Sequence, residues 1–151
     1  MPPGQVNEIY NQSLVGLCLS GAEGAMFSAG EYLLCGLPIV STHSIGGRDA
    51  LFDDYNSILT PAEPQSIANA VAQFVKARRD PYRIRADALS RMWRLRLDLY
   101  KATVSIMGDD WNSRQRFHLE RLFLDPTSTF PVALTSMEEI AALLRKDQME
   151  K

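Results

Sequence analysis

The stretch LCLSGAEGAMFSAGEYLLCGLPIVSTHSIGGRDALFDD, residues 17–54, decides the fold of this chain. Apolar runs over Leu14–Leu19 and Ile39–Ser41 predict two buried strands. Between them, apolar residues recur at helical spacing, which predicts a helix over Gly24–Cys35 that Gly36 ends. A strand, a helix and a second strand in this order predict a βαβ unit and therefore a parallel sheet.

Outward from this stretch, the chain adds one strand and then becomes helical. THSIGGRD is predicted as a loop, Leu51–Tyr55 as a short helical or turn segment, and Ser57–Thr60 as an edge strand. Three strands with an excess of helix predict one half of a doubly wound α/β domain, because a complete domain normally has more strands. The further helices predicted from apolar spacing cover residues 62–80, Tyr82–Met107, Ser113–Leu124 and Ser136–Lys146.

Length and composition exclude several classes of protein. The 151 residues, 46% of them apolar, are enough for a substantial core. A net charge of -2 argues against attraction of the whole domain to nucleic acid or acidic lipid. The sequence has neither the roughly 20-residue apolar run of a membrane span nor the pattern of a signal peptide, so we expect a cytoplasmic protein.

The cysteines and the short motifs exclude further chemistry. Cys18 and Cys35 stand inside apolar runs, so we expect reduced, buried thiols. No cysteine or histidine cluster has metal-ligand spacing, and we expect no metal site. The sequence contains no nucleophile elbow, no dinucleotide-binding glycine motif and no P-loop.

Two acidic residues in the central stretch are the strongest candidates for function. Glu23 follows the first strand, and the amides of Gly24–Phe27 at the start of the next helix can hold an anion such as a diphosphate. Glu23 would then accept hydrogen bonds from sugar hydroxyls or stabilise charge at an anomeric carbon. Glu31 would lie about 80° around the helix and roughly 12 Å along it, suited to a ribose diol. The alternatives are a solvated helix-start glutamate and an exposed helix glutamate.

Other polar residues are weaker candidates. His43 follows the second strand and is either a site residue or a loop histidine bonded to backbone. Gly46 and Gly47 form a glycine-rich loop. Arg48 is the one lysine or arginine in residues 17–54, and it could face an anion. The arginines of the long predicted helix either meet an anionic surface or form a solvated face with their stems packed on the domain. They are Arg83, Arg85, Arg91, Arg94 and Arg96, beside Trp93.

Taken together, these motifs resemble the C-terminal, nucleotide-sugar-binding domain of the group 1 retaining glycosyltransferases, which have the two-domain GT-B fold. The resemblance is carried by the run ending at Tyr10 and by SLVGLCLS, EGAMFSAGE, CGLPIVST and GGRD, and it covers residues 6 to about 77. It implies a three-layer, Rossmann-like half of a GT-B fold. Residues 1–80 would then be the nucleotide-sugar-binding part, and residues 81–151 a helical extension packed on it.

The resemblance also implies roles for individual residues. Glu23 matches the catalytic acid beside the transferred sugar, and Glu31 matches the acid that holds the ribose. Gly24, Ala25, Met26 and Phe27 match positions whose amides meet sugar hydroxyls and the distal phosphate. The implied substrate is a nucleotide-diphosphate sugar, no cofactor is implied, and neither the nucleotide base, the sugar nor the acceptor is identified.

The chain departs from the family in two ways. Ala25 and Met26 stand where the family often has a bulky residue and then a glycine, and Arg48 and Asp49 follow the glycine loop where many members have small residues and a glutamate. The N-terminal domain and the basic pair of the family are missing before Met1, so we expect a fragment that cannot turn over alone. The alternatives are a non-catalytic nucleotide-sugar-binding or interaction module, and an unrelated phosphosugar enzyme such as an epimerase. An exposed sheet edge before Leu14 would favour a homodimer.

Overall fold

The computed structural model describes residues 2–107 and 113–124, and these divide into two compact units between residues 92 and 93. The predicted helix Ser136–Lys146 lies outside the described residues. The predicted domain boundary at residue 80 stays a prediction. The elements in chain order are α1 (Pro3–Gln12), β1 (Gly16–Cys18), α2 (Phe27–Leu34), β2 (Ile39–Thr42), a 3-10 helix (Arg48–Leu51), β3 (Ser57–Thr60), α3 (Pro64–Lys76), α4 (Pro81–Met107) and α5 (Ser113–Leu124).

The three strands form one parallel sheet in the order β1-β2-β3. Leu17 pairs with Val40, and Val40 pairs with Ile58, so the register continues across the sheet. β2 is the central strand, and all four of its residues are buried because it is covered on both faces. The predicted α/β class and the predicted edge position of β3 are confirmed.

Alternate residues of β2 face two separate helical layers. Ile39 is fully buried in a core with Leu33 of α2 and Ile84 of α4, whereas Val40 is packed with Phe74 of α3. This alternation follows from the two-residue period of a strand. The result is a three-layer arrangement with helices on both faces of the sheet, which confirms the Rossmann-like architecture and is consistent with half of a GT-B fold.

The start of α2 is the main correction to the predicted elements. The helix begins at Phe27 rather than Gly24, so Glu23 lies in a loop and the predicted geometry of two glutamates on one helix is wrong. The physical reason is a main-chain contact: the Glu23 N–H donates to the Ile45 carbonyl at 3.0 Å, which holds the chain extended after β1. β1 is also shorter than predicted.

Other elements also differ from the predictions, and α3, predicted over residues 62–80, is shorter. The helix α1 was not predicted; it ends where the Ser13 hydroxyl donates to the Ile9 carbonyl at 2.8 Å. The short helical segment is a 3-10 helix over Arg48–Leu51, earlier in the chain than predicted. The predicted bounds of β3 and α5 are confirmed, and α4 begins one residue earlier than predicted, at Pro81.

Both cysteines are free thiols, as predicted, but only Cys18 is fully buried. Burial raises the pKa of the Cys18 thiol. In the second unit, Leu119 and Phe123 of α5 are buried, and the Tyr100 hydroxyl donates to the Glu120 carboxylate at 3.2 Å. Among the described helices, none combines the length and the apolar character needed to cross a membrane.

Candidate functional site

Two loops at the carboxyl edge of the sheet are joined by their main chains. One follows β1 and the other follows β2, and Ala22 and Ile45 form a parallel bridge between them. The Glu23 N–H donates to the Ile45 carbonyl at 3.0 Å, and the Ile45 N–H donates to the Gly21 carbonyl at 3.1 Å. These two bonds fix the position of Glu23 relative to the glycine loop.

The glycine loop lies directly against the backbone of the predicted acid. Gly46 has a φ of +126°, which side-chain-bearing residues rarely adopt, and a Cβ there would overlap the Glu23 carbonyl. A Cβ on Gly47 would lie 3.5 Å from the Gly24 carbonyl oxygen. The structure therefore brings together Glu23, Gly24, Gly46 and Gly47, four of the predicted site residues.

The Glu23 side chain is held by a serine that was not singled out from the sequence. The Ser20 hydroxyl donates to Glu23 Oε1 at 2.8 Å, and the Glu23 side chain is half-buried. A carboxylate offers about four acceptor positions, which leaves capacity for ligand hydroxyls.

The N-terminus of α2 lacks a side-chain cap. Its N-cap residue is Met26, which makes no capping hydrogen bond, and Phe27 at the first helical position is 71% exposed. The Ala29 N–H donates to the Met26 carbonyl, whereas the Phe27 and Ser28 amides precede any intrahelical partner. Such an end has about half a positive charge and is suited to an anion. Gly24 and Ala25, between Glu23 and this end, are exposed.

Arg48 does not face solvent. It is 2% exposed, and its guanidinium donates to the carbonyl of Ser20 at 2.8 Å, to that of Cys18 at 3.4 Å and to that of Thr42. Its Nε pairs with the Asp49 carboxylate at 3.0 Å. These carbonyls stand at the ends of β1 and β2, so Arg48 joins the two strand ends. A phosphate would reach this guanidinium only by displacing these partners, and Asp49 is committed to the same group.

Glu31 has a different partner from Glu23. It is exposed on α2, roughly 6 Å along the axis from Phe27. The Tyr10 hydroxyl of α1 donates to Glu31 Oε2 at 3.0 Å. Burial, followed by this hydrogen bond, raises the pKa of Tyr10 to about 12. Tyr10 ends one of the runs that carry the resemblance, but its contact with Glu31 was not predicted, because α1 was not predicted.

The remaining candidates are less engaged. His43 is exposed in the loop after β2. On α4, the Arg91 guanidinium pairs with Asp53 at 2.7 Å, and that of Arg83 stacks on Tyr55 with its central carbon 3.9 Å from the ring centre. These two arginines are packed on the domain, as one of the two readings of the basic helix predicts.

Comparison with known families places this site in context. Residues 3–77 match the family described as glycosyl transferases group 1. The match supports a group 1 glycosyltransferase. No curated protein and no solved structure matches the chain.

The matched segment, residues 3–77, contains the whole arrangement described above. It includes the three strands, the paired loops, the open start of α2 and both glutamates. The predicted resemblance, which covered residues 6 to about 77, is confirmed at the level of the group 1 glycosyltransferases.

A large groove lies at the opposite, amino edge of the sheet. Its cavity volume is about 610 Å³, and its walls include Leu14 and Pro38, which precede β1 and β2. None of the predicted site residues lines it. Arg78, Arg79 and Arg85 do, and Arg85 donates to the Leu34 carbonyl at the end of α2. The groove is therefore separate from the paired loops at the carboxyl edge.

Proposed function

We propose that residues 3–77 are the donor-binding part of a retaining glycosyltransferase with the GT-B fold, acting on a nucleotide-diphosphate sugar. The observation that carries the proposal is the uncapped start of α2 beside Glu23, in a loop fixed by main-chain bonds to the glycine loop. An anion-binding helix end next to a carboxylate suits a ligand with a diphosphate and a polyhydroxyl group. The donor is the substrate, so the proposal includes no cofactor, and we place the protein in the cytoplasm.

In this proposal each group acts on a different part of the donor. As the bond between the anomeric carbon and the diphosphate breaks, the electron pair leaves with the diphosphate, and the α2 amides stabilise the growing charge. Glu23 accepts hydrogen bonds from the sugar and stabilises positive charge at the anomeric carbon. Glu31 accepts hydrogen bonds from the ribose diol. The acceptor hydroxyl then forms the new bond to the anomeric carbon on the same face of the sugar and gives its proton to the departing diphosphate.

The proposed enzyme needs positive charge and an acceptor site from elsewhere. Within the described residues, Arg48 is the arginine that lies between the strand ends, and its donors are used by carbonyls and Asp49. A diphosphate leaving group without a metal needs cationic partners. We therefore propose that a further, N-terminal domain completes the active enzyme.

A second candidate is a non-catalytic nucleotide-sugar-binding or interaction module. One edge of β1 is unpaired among the described strands, and Leu17 and Leu19 are each 44% exposed beside it. An open edge with apolar side chains tends to pair with another chain. This candidate predicts a dimer through β1, which sedimentation analysis of the chain and of a Leu17→Lys variant would detect.

Calorimetry on the full chain tests the donor site. We would titrate uridine, guanosine and adenosine diphosphates and their sugar conjugates into the chain, into Glu23→Gln and into Glu63→Gln. Glu63 is the matched control, because it is the N-cap of α3 and makes no side-chain capping bond. We expect Glu23→Gln to weaken sugar-conjugate binding roughly tenfold or more, with a smaller effect on the plain diphosphate, because a charged hydrogen bond is lost.

Two outcomes would contradict the proposal. The first is no binding of any of these ligands up to millimolar concentration. The second is an equal loss in Glu23→Gln and Glu63→Gln, which would show a general charge effect rather than a contact at the α2 site.

A further inference from the structure

We propose that Tyr10 is a positioning residue that holds the Glu31 carboxylate ready for the ribose of a nucleotide. The inference rests on the proposed function, because it takes Glu31 as the ribose acid. It adds Tyr10 of α1, a residue to which the sequence patterns assign no role. The contact that carries it is the hydrogen bond from the Tyr10 hydroxyl to Glu31 Oε2 at 3.0 Å.

The Tyr10 ring has a fixed position. It packs edge-on against the Tyr32 ring, with ring centres 4.9 Å apart and planes at 73°. Tyr32 in turn lies over Gly16 at the start of β1, where a Cβ would overlap its ring. The Tyr10 ring that carries this hydroxyl is therefore held by the Tyr32 ring, which itself packs on the sheet.

Glu31 needs such a partner to be ordered. Its side chain is exposed, and an exposed glutamate without contacts samples several rotamers. Fixing such a side chain costs conformational entropy. A hydrogen bond already present in the free protein removes part of that cost from ligand binding.

The bond to Tyr10 leaves Glu31 able to bind a diol. An ionised carboxylate has about four acceptor positions, of which Tyr10 occupies one. Oε1 and the second lone pair of Oε2 remain for two ribose hydroxyls. Tyr10 would therefore orient the group without competing for it.

The test uses Tyr10→Phe, which removes the hydroxyl and keeps the edge-on contact with the Tyr32 ring. Dissociation constants would be measured for uridine, guanosine and adenosine diphosphates and for their 2′,3′-dideoxy counterparts. We expect the ribonucleotide to bind roughly three- to tenfold more weakly to Tyr10→Phe, with the dideoxy ligand unchanged, because one hydrogen bond that orders Glu31 is lost. In a Glu31→Gln background, Tyr10→Phe should have no further effect on the discrimination.

Tyr100→Phe is the matched control, because the Tyr100 hydroxyl donates to Glu120 in the same way at 3.2 Å. It should leave both affinities unchanged. If Tyr10→Phe weakens both ligands equally, or neither, while the wild type discriminates, Tyr10 has only a structural role and the inference is wrong. If the wild type binds no diphosphate, or does not discriminate, the proposed function fails and this inference with it.

Discussion

The two edges of the parallel sheet differ in what they offer a ligand. The amino edge has the large groove, about 610 Å³ in volume, with three arginines in its walls. The carboxyl edge has the paired loops, with Glu23 beside the uncapped start of α2. The volume of the groove and the number of charged side chains, taken alone, would favour the amino edge as the ligand site. The direction of the helices favours the carboxyl edge instead.

Helices α2 and α3 end at the amino edge, so their unpaired carbonyls face it. Such helix ends have a partial negative charge. Arg85 donates to the Leu34 carbonyl and so neutralises the end of α2. Because it is used in this contact, it is not available to a ligand. At the carboxyl edge, the α2 amides are themselves the positive groups. For binding an anion, the sign of the partial charge at the helix ends therefore matters more here than the number of arginines.

The largest effect on this comparison is expected from Arg48→Met. Arg48 is the buried arginine of the carboxyl edge, and the variant removes the guanidinium donor from the Cys18, Ser20 and Thr42 carbonyls. We expect the free energy of unfolding to fall by about 3–5 kcal/mol, because hydrogen bonds from one buried charged donor to three carbonyls are lost together. Urea denaturation followed by circular dichroism measures it.

Arg94→Met is the control for that variant. Arg94 is exposed on α4, and its replacement should change the free energy of unfolding by less than about 0.5 kcal/mol. A loss as small as this in Arg48→Met would mean that water replaces the guanidinium, and that the strand ends do not depend on it.

The sequence predicts the body of this edge but not its contacts. The apolar run around Val40 and the helical spacing of Ala29 and Leu33 are local, and β2 and most of α2 follow from them. The start of α2 depends on the bridge between Ala22 and Ile45, which are far apart in sequence and leave no periodic signal. The bond between Tyr10 and Glu31 and the burial of Arg48 also depend on residues far apart in sequence, so they could not be predicted either. Long-range polar contacts decide the site, whereas local apolar patterns decide the fold.

A smaller loss of stability is expected from Gly46→Ala at the carboxyl edge. A residue with a Cβ at a φ of +126° is strained by about 1–3 kcal/mol, and the Cβ would overlap the Glu23 carbonyl. The loops should therefore separate, with weaker binding of nucleotide-diphosphate sugars. Gly21→Ala is the control, because a Cβ at Gly21 meets no atom within 4 Å. Equal stability and equal affinity in both variants would show that the paired loops do not hold Glu23 in place.

The smallest loss is expected from Arg85→Met at the amino edge. Arg85 is exposed and donates to one carbonyl, that of Leu34, so the free energy of unfolding should fall by about 0.5–1.5 kcal/mol. Arg78 lines the same groove, and Arg78→Met serves as the matched control, with an expected change below about 0.5 kcal/mol. Both variants should bind nucleotide diphosphates as the wild type does, measured by calorimetry. Weaker binding in either variant would move the diphosphate from the α2 amides to the groove, and would reverse the assignment of the two edges.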